Sequence, residues 1–291
     1  MANTEFSSTA STSATDTPEE ESFQVLAAIK SEYNDIVIVD SPKSRMLLLD
    51  SSCNSLYLSA NSYKLPIISQ NEHNVHSIFY KEQKWTNSYW DEFASLPAIV
   101  PKGPIAIFGL LDGWEIDQIL IDKAREYLGL FDLEKPTQDG GLVNVCIGDA
   151  LSPAVNARGK YAGIIVDLAA DGKVLPQLQE VTTWLELHDQ LMPNGRFMVN
   201  CGGIDGGSGL VDANVHPETS SVDITWLQNP TMKALSKAYP GQLSWKRMPK
   251  ENGANYMALT GPFPDLNSWS ASIPSPLSTN VKNWRPCGPF Q

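Results

Sequence analysis

Three acidic residues, Glu115, Asp149 and Asp167, each follow an apolar run, in "WEID", "VNVCIGDA" and "YAGIIVDL". Open α/β sheets bind ligands outside the carboxyl ends of their strands, so a carboxylate placed there can hold a ligand or take a proton. Gly109 closes "IAIFG" in the same way, as a glycine closes the first strand of a nucleotide-binding unit. In such units that glycine and the ribose-binding acid stand about 20 residues apart, across a Gly-rich turn and a crossover helix. Here only residues 110–114 lie between Gly109 and Glu115. Parallel neighbours need a crossover of a dozen or more residues, so "IAIFG" and "WEID" are not expected as adjacent parallel strands. The stretch reads as the remnant of a cofactor-binding unit.

Each candidate also has a plainer reading. Glu115 stands three residues after Asp112, the spacing of a capping box at the next helix. Asp149 can start a turn or cap a helix around "LSPAVN". Asp167, ending an apolar strand, reads as functional. His73-x-x-His76 has a metal-like spacing, but no third ligand is near and the segment reads as a strand edge. Trp85, Tyr89, Trp90 and Phe93 read as core or domain-interface packing.

The elements that must position these residues fall into two grammars. Residues 1–22 are Ser/Thr-rich, acidic and free of Lys and Arg, which excludes an organelle transit peptide and predicts a disordered tail. Residues 23–101 form a β-rich unit. In it "DIVIVD" and "SRMLLLD" are adjacent strands about the turn "SPK", and "VHSIFY" is a third. Residues 51–70 show neither period, an unusual length for a loop in a compact domain. Residues 102–262 alternate strands and helices: "IAIFG", a helix through "EIDQILIDKAREYLGL", "LVNVCIGDA", "YAGIIVDL", the helix "VLPQLQEVTTWLELHDQL", and "GRFMVNCGG" after the turn "MPNG". Continuous apolar strands of this kind form a parallel sheet covered on both faces. The helix "ITWLQNPTMKALSKAY" then leads to an antiparallel hairpin of "LSWKRMP" and "NYMALTG". Residues 263–291 read as an extended tail on the surface.

Composition narrows the classes. The net charge of −12, from 21 Lys and Arg against 33 Asp and Glu, argues against nucleic-acid and anionic-membrane partners. No apolar run approaches the ~18 residues of a membrane span. Four cysteines, Cys53, Cys146, Cys201 and Cys287, form no CxxC pair, which points to a reduced, cytoplasmic setting.

Four pieces taken in order, "WEIDQILIDKARE", "VNVCIGDA", "YAGIIVDL" and "LMPNGRFMVNCGG", resemble the core of class I S-adenosylmethionine-dependent methyltransferases. They are most similar to the spermidine-synthase-like branch, in wording to its plant members. Upstream, Trp90-x-Glu92-Phe93 and Leu96-Pro97 look like that branch's aromatic-x-Glu-Met and Leu-Pro before the first core strand. The resemblance spans roughly residues 32–261, apart from 51–70. It implies a Rossmann-like, mostly parallel sheet with flanking helices. The implied cofactor is S-adenosylmethionine or its decarboxylated form, with transfer of a methyl or aminopropyl group to a small-molecule acceptor. It further implies that Glu115 binds the cofactor ribose, that Asp149, with Ala150 beside it, meets the adenine amino group, that Gly109 lies under the amino-acid moiety, and that Asp167 lines the reaction centre as the polar catalytic group.

The chain also departs from the family. The strand-four motif of two aspartates three apart, followed by Pro, is here "DLAADGK", with Asp171 one residue too far and Gly172 for Pro. The late Tyr-containing polyamine motif is represented by "MPKENGAN". The Gly-Gly-Gly turn, crossover helix and second strand are missing. One block gained at 51–70 and one lost after Gly109, with flanks intact, is the pattern of alternative splicing or a misjoined gene model. A second functional expectation is therefore a non-catalytic protein acting through association with an intact relative or as a homo-oligomer. The expected sheet lacks one strand–helix unit. Asp112 becomes an N-cap, the helix runs from about 113 to 128, and Glu115 lies in its first turn rather than on a strand.

Overall fold

The computed structural model describes residues 23–50, 75–109, 114–137, 142–152, 160–170, 173–204, 225–249 and 254–288. The proposed insert at 51–70, Asp112 and Gly113, His73, Asp171 and Gly172 lie outside the described residues.

The first unit is an antiparallel sheet in the order β1 (Gln24–Lys30), β2 (Asp35–Asp40), β3 (Ser44–Asp50), β4 (Val75–Tyr80). Three strands stand where the β-type runs place them; β1 adds a fourth. "IVIV" is apolar at every position because both faces of β2 are covered. Ile36, Ile38 and Leu47 pack against Leu120, and Val37, Val39, Met46 and Leu48 form a second buried layer.

The main sheet is built from β5 (Ile105–Phe108), β6 (Trp114–Glu115), β7 (Cys146–Ile147), β8 (Tyr161–Val166), β11 (Leu191–Asn200), β12 (Leu243–Arg247), β13 (Tyr256–Thr260) and β14 (Arg285–Pro286). A small hairpin, β9 (Ala169–Ala170) with β10 (Lys173–Val174), follows β8. The sheet order is β14-β12-β13-β11-β8-β5-β6-β7. From β11 to β7 every pairing is parallel, and β13, β12 and β14 are antiparallel. As expected, "IAIF" holds a central slot beside "GIIV". Helices α4 (Val181–His188) and α5 (Pro230–Ala238) bury Trp184, Leu187, Met232 and Leu235 on one face. The other face is closed by α1 (Tyr89–Phe93) and α6 (Leu266–Ala271), through Phe93, Leu96, Met257 and Trp269.

The structure corrects the sequence reading at residues 104–130. β6 is a strand, parallel to β5 with Phe108 opposite Trp114. Helix α2 (Gln118–Tyr127), which the short α3 (Leu130–Leu133) follows, starts well after the expected position near 113, with Asp117 rather than Asp112 as its N-cap. A crossover must carry the chain back along the length of a strand. Because Trp114 is level with the last residue of β5, no return path is needed and a short connection suffices. The strand slot thought lost is filled, although the five residues 109–113 leave no room for a crossover helix.

Other boundaries shift for local reasons. Pro230 and the Asn229 side chain, which accepts from the Met232 amide, split "ITWLQNPTMKALSKAY" into a 3-10 turn (Thr225–Gln228) and α5, since proline suits a first helical turn and breaks an interior. A 3-10 turn (Pro176–Gln179) likewise precedes α4. The turn "MPNG" is absorbed into β11 as a register shift between Leu191 and Arg196, with Asn194 left-handed at φ 63°. The tail read as extended carries α6, α7 (Ser275–Ser278) and β14. Its apolar residues Trp269, Leu277, Val281 and Trp284 are buried, which a coil on the surface could not achieve. Among the described residues no helix is long and apolar enough to cross a membrane.

One buried carboxylate joins the two sheets. Asp117, 1% exposed, caps α2 by accepting from the Ile119 and Leu120 amides at 3.1 and 3.2 Å. Its other oxygen accepts from Ser31 Oγ at 2.5 Å and Asn34 Nδ2 at 3.2 Å, both in the β1–β2 turn. Asp117→Ala should cost about 2–4 kcal/mol, combining a lost cap with stranded buried donors, and Ser31→Ala about 1 kcal/mol. Urea denaturation measures both; a loss under about 1 kcal/mol for Asp117→Ala would show that this contact does not hold the sheets together.

Candidate active site

Asp167 directly follows β8 and is half-buried. Its amide donates to the Phe108 carbonyl at 2.9 Å, tying it to the end of β5. Oδ1 accepts from Asn200 Nδ2 at 2.7 Å and Oδ2 from the Tyr89 hydroxyl at 3.2 Å. Asn200 ends β11, the parallel neighbour of β8, and Tyr89 opens α1 behind the Ser88 cap. Burial pushes the Asp167 carboxyl up to about 6, against the two hydrogen bonds that favour its charged form. Burial, and then the neighbouring Asp167 charge, raise the Tyr89 phenol far above its ordinary range, so it remains a donor. Each Asp167 oxygen retains a second lone pair. The group is placed and tuned to exchange a proton near neutrality.

Gly109 packs directly on this residue. Its φ is +95°, and a Cβ there would sit 2.3 Å from the Asp167 carbonyl oxygen. Only glycine takes both the left-handed backbone and the close approach.

Glu115 projects from a strand end, not from a helix turn. It does not act as an N3 capping partner: its Oε1 accepts from the Asp117 amide at 2.9 Å. Burial raises the Glu115 carboxyl, with that amide opposing. Asp149 is exposed and accepts from the Leu151 amide at 2.8 Å, which is the turn-starting role. Ala150 is buried in the main core. The structure thus brings Gly109 and Asp167 together and gives Glu115 and Asp149 backbone partners of their own. Among the described residues no group of three or more His, Cys, Asp or Glu is placed to hold a metal ion.

Comparison with solved structures gives the same architecture. A spermidine synthase in complex with the transition-state analogue AdoDATO is 15% identical, with a TM-score of 0.50, covering 89% of this chain and 87% of its own. The spermidine synthase from Thermotoga maritima, also 15% identical over the same shares, gives a TM-score of 0.51. The chain has the fold of these spermidine synthases. No protein-family model and no curated protein sequence matches it.

Two site residues escape the sequence reading. Tyr89 belongs to the aromatic run read as packing, and its ring does pack on Trp90 and Phe93; only its hydroxyl reaches Asp167. Asn200 had a visible signal, a lone polar residue ending the apolar run "FMVN".

Two outcomes are expected. Gly109→Ala should destabilise the fold by at least about 2 kcal/mol, through backbone strain and displacement of Asp167, as thermal unfolding would measure. The raised carboxyl of Asp167 favours its protonated form in the fold. Its contribution to stability is thus complete below about pH 4 and lost as pH rises through about 6. The stability of the native protein relative to Asp167→Asn should fall across that window and stay flat above it; a difference that rises instead would refute the burial.

Proposed function

We propose that this chain is a spermidine-synthase-like transferase in which Asp167 is the proton-accepting group and S-adenosylmethionine, or its decarboxylated form, is the donor. The observation that carries this reading is Asp167 itself, raised to about 6 by burial and held by Tyr89 and Asn200 at the carboxyl end of β8. When bound, the donor supplies an alkyl group on a sulfonium centre for transfer to a nucleophile. Asp167 takes the nucleophile's proton while Tyr89 and Asn200 fix its carboxylate. The second oxygen of Glu115 would meet ribose hydroxyls, and the carboxylate of Asp149, beside Ala150, the adenine amino group. Gly109, packed against the Asp167 backbone, would lie under the donor's amino-acid moiety. The acceptor is a small molecule held in a cytoplasmic setting. The departures at Asp171, Gly172 and "MPKENGAN" speak against a polyamine.

The five-residue connection after Phe108 favours a second reading. It supplies no glycine-rich turn and no following helix N-terminus to hold the donor's carboxylate. On that reading the chain, a spliced form, is non-catalytic and acts by associating with an intact relative or with its own copies.

Calorimetry with both donor forms separates the two. A Kd tighter than about 100 μM, about 5.5 kcal/mol, supports the enzyme, and Asp167→Asn should then keep that affinity while transfer falls by at least about a hundredfold. Absence of binding by either donor overturns the transferase reading.

A further inference from the structure

Strand β6 fills its place between β5 and β7 only at one end. Among the described residues β5 and β6 pair only where Phe108 meets Trp114, and Trp114 meets Cys146 on its other side. Phe108 and Cys146 are therefore level, with one strand between them. Counting back from that level sets Ile107, Ala106 and Ile105 opposite Val145, Asn144 and Val143. A cavity of about 590 Å³ lies there, with Ile105, Ala106 and Ile107 lining one wall and Leu142, Val143 and Asn144 the other. None of the described residues that line it is charged. Neighbouring strands stand about 4.7–4.9 Å apart, so walls two strands apart leave room for one extended chain.

The backbone of β5 is open along this wall. Backbone groups of successive strand residues turn to opposite edges. The Pro104 and Phe108 carbonyls accept from the Ala162 and Asp167 amides on the β8 side, whereas the Gly109 amide donates to the Trp114 carbonyl on the β6 side. Ile105 and Ile107, in phase with Gly109, turn their amides toward the slot. Among the described residues, the Ile107 amide and both backbone groups of Ile105 have no partner there. Ala106 between them is buried, so this edge lies within the sheet, where backbone polar groups are almost always paired.

We propose that the slot receives an extended, uncharged apolar segment of a partner protein, about four residues long, which adds a strand parallel to β5. The residue at the level of Ala106 donates its amide to the Ile105 carbonyl and accepts from the Ile107 amide, as in a parallel ladder. The two faces set the chemistry of its side chains. Ala106 and Phe108 belong to the main core with Trp114 and Cys146, and Ile105 and Ile107 pack on the opposite layer with Phe93 and Leu96. A strand covered on both faces is a continuous Val and Ile run, and a charged side chain finds no counter-ion among the described lining residues. The slot lies on the N-terminal side of the level at which the Phe108 carbonyl holds Asp167, so the assignment does not rest on donor binding or on the transferase reading.

The test adds the capped peptide acetyl-Lys-Lys-Gly-Val-Ile-Val-Ile-amide to the full chain. Calorimetry should give a saturable signal with a Kd at or below about 100 μM, about 5.5 kcal/mol. Hydrogen exchange at the Ile105 and Ile107 amides should slow at least about tenfold, while Ala106 and Phe108, turned toward β8, stay unchanged. The same peptide N-methylated at alternate residues, which removes every donor along one edge, should not bind. Leu142→Asp, at an exposed side chain that lines the slot, should weaken the affinity at least about fivefold by placing a charge against the apolar segment; far-ultraviolet circular dichroism establishes that this variant is folded. No saturable binding, equal binding of the N-methylated peptide, or unchanged exchange at Ile105 and Ile107 overturns the assignment. Slowing of those two amides with rising protein concentration in the absence of peptide also overturns it, because a second copy of the chain then fills the slot.

Discussion

Five residues separate Phe108 from Trp114, and that length disciplines everything around the candidate active site. With no residues available to return along β5, β6 can pair only where β5 ends, and it does so at a single position. The Gly109 amide donates to the Trp114 carbonyl at 3.2 Å, and the Gly148 amide to the Glu115 carbonyl at 2.8 Å, so β6 and β7 follow as short extensions of the sheet. Helix α2 then starts at once, and its cap Asp117 is forced against the β1–β2 turn. The docking of the N-terminal sheet is a consequence of where β6 can lie.

The same crowding tunes Asp167. Its backbone is gripped by Phe108 and pressed on Gly109, and its carboxylate is taken out of water between β5, β8, β11 and α1. Desolvation outweighs two hydrogen bonds, and the carboxyl titrates near neutrality. Glu115, on the strand next to β5, feels the same desolvation, with the Asp117 amide as its partner.

A second constraint closes the far side. Lys246 on β12 and Glu92 on α1 are 5% and 1% exposed at their side chains and form a buried ion pair, with the Asn280 carbonyl as third partner. Removing one member of such a pair strands the other charge. The pair therefore binds α1, which carries Tyr89, to the main sheet and to the C-terminal segment. The Trp269 indole donates to the Ser95 carbonyl at 2.9 Å and fastens that segment to the turn that follows α1. A tail rich in Pro, Ser and Trp becomes part of the core because its tryptophans cover the apolar face that β11, β13 and α1 leave open.

The sequence by itself determined what depends on local pattern: the apolar runs of β2, β3, β5 and β8, the hairpin of β12 and β13, the positions of Gly109 and Asp167 at strand ends, and the shortness of the connection after β5. These follow from periodicity and chain length, which need no partner to be read. Tertiary structure decided what depends on level and neighbourhood. Whether β6 could be a strand turned on where β5 ended. Asp117 rather than Asp112 capped α2, and a turn from another sheet reached it there. Tyr89 and Asn200 acquired their roles by converging on Asp167 from 78 and 33 residues away, and no spacing within one segment encodes a contact made by three elements.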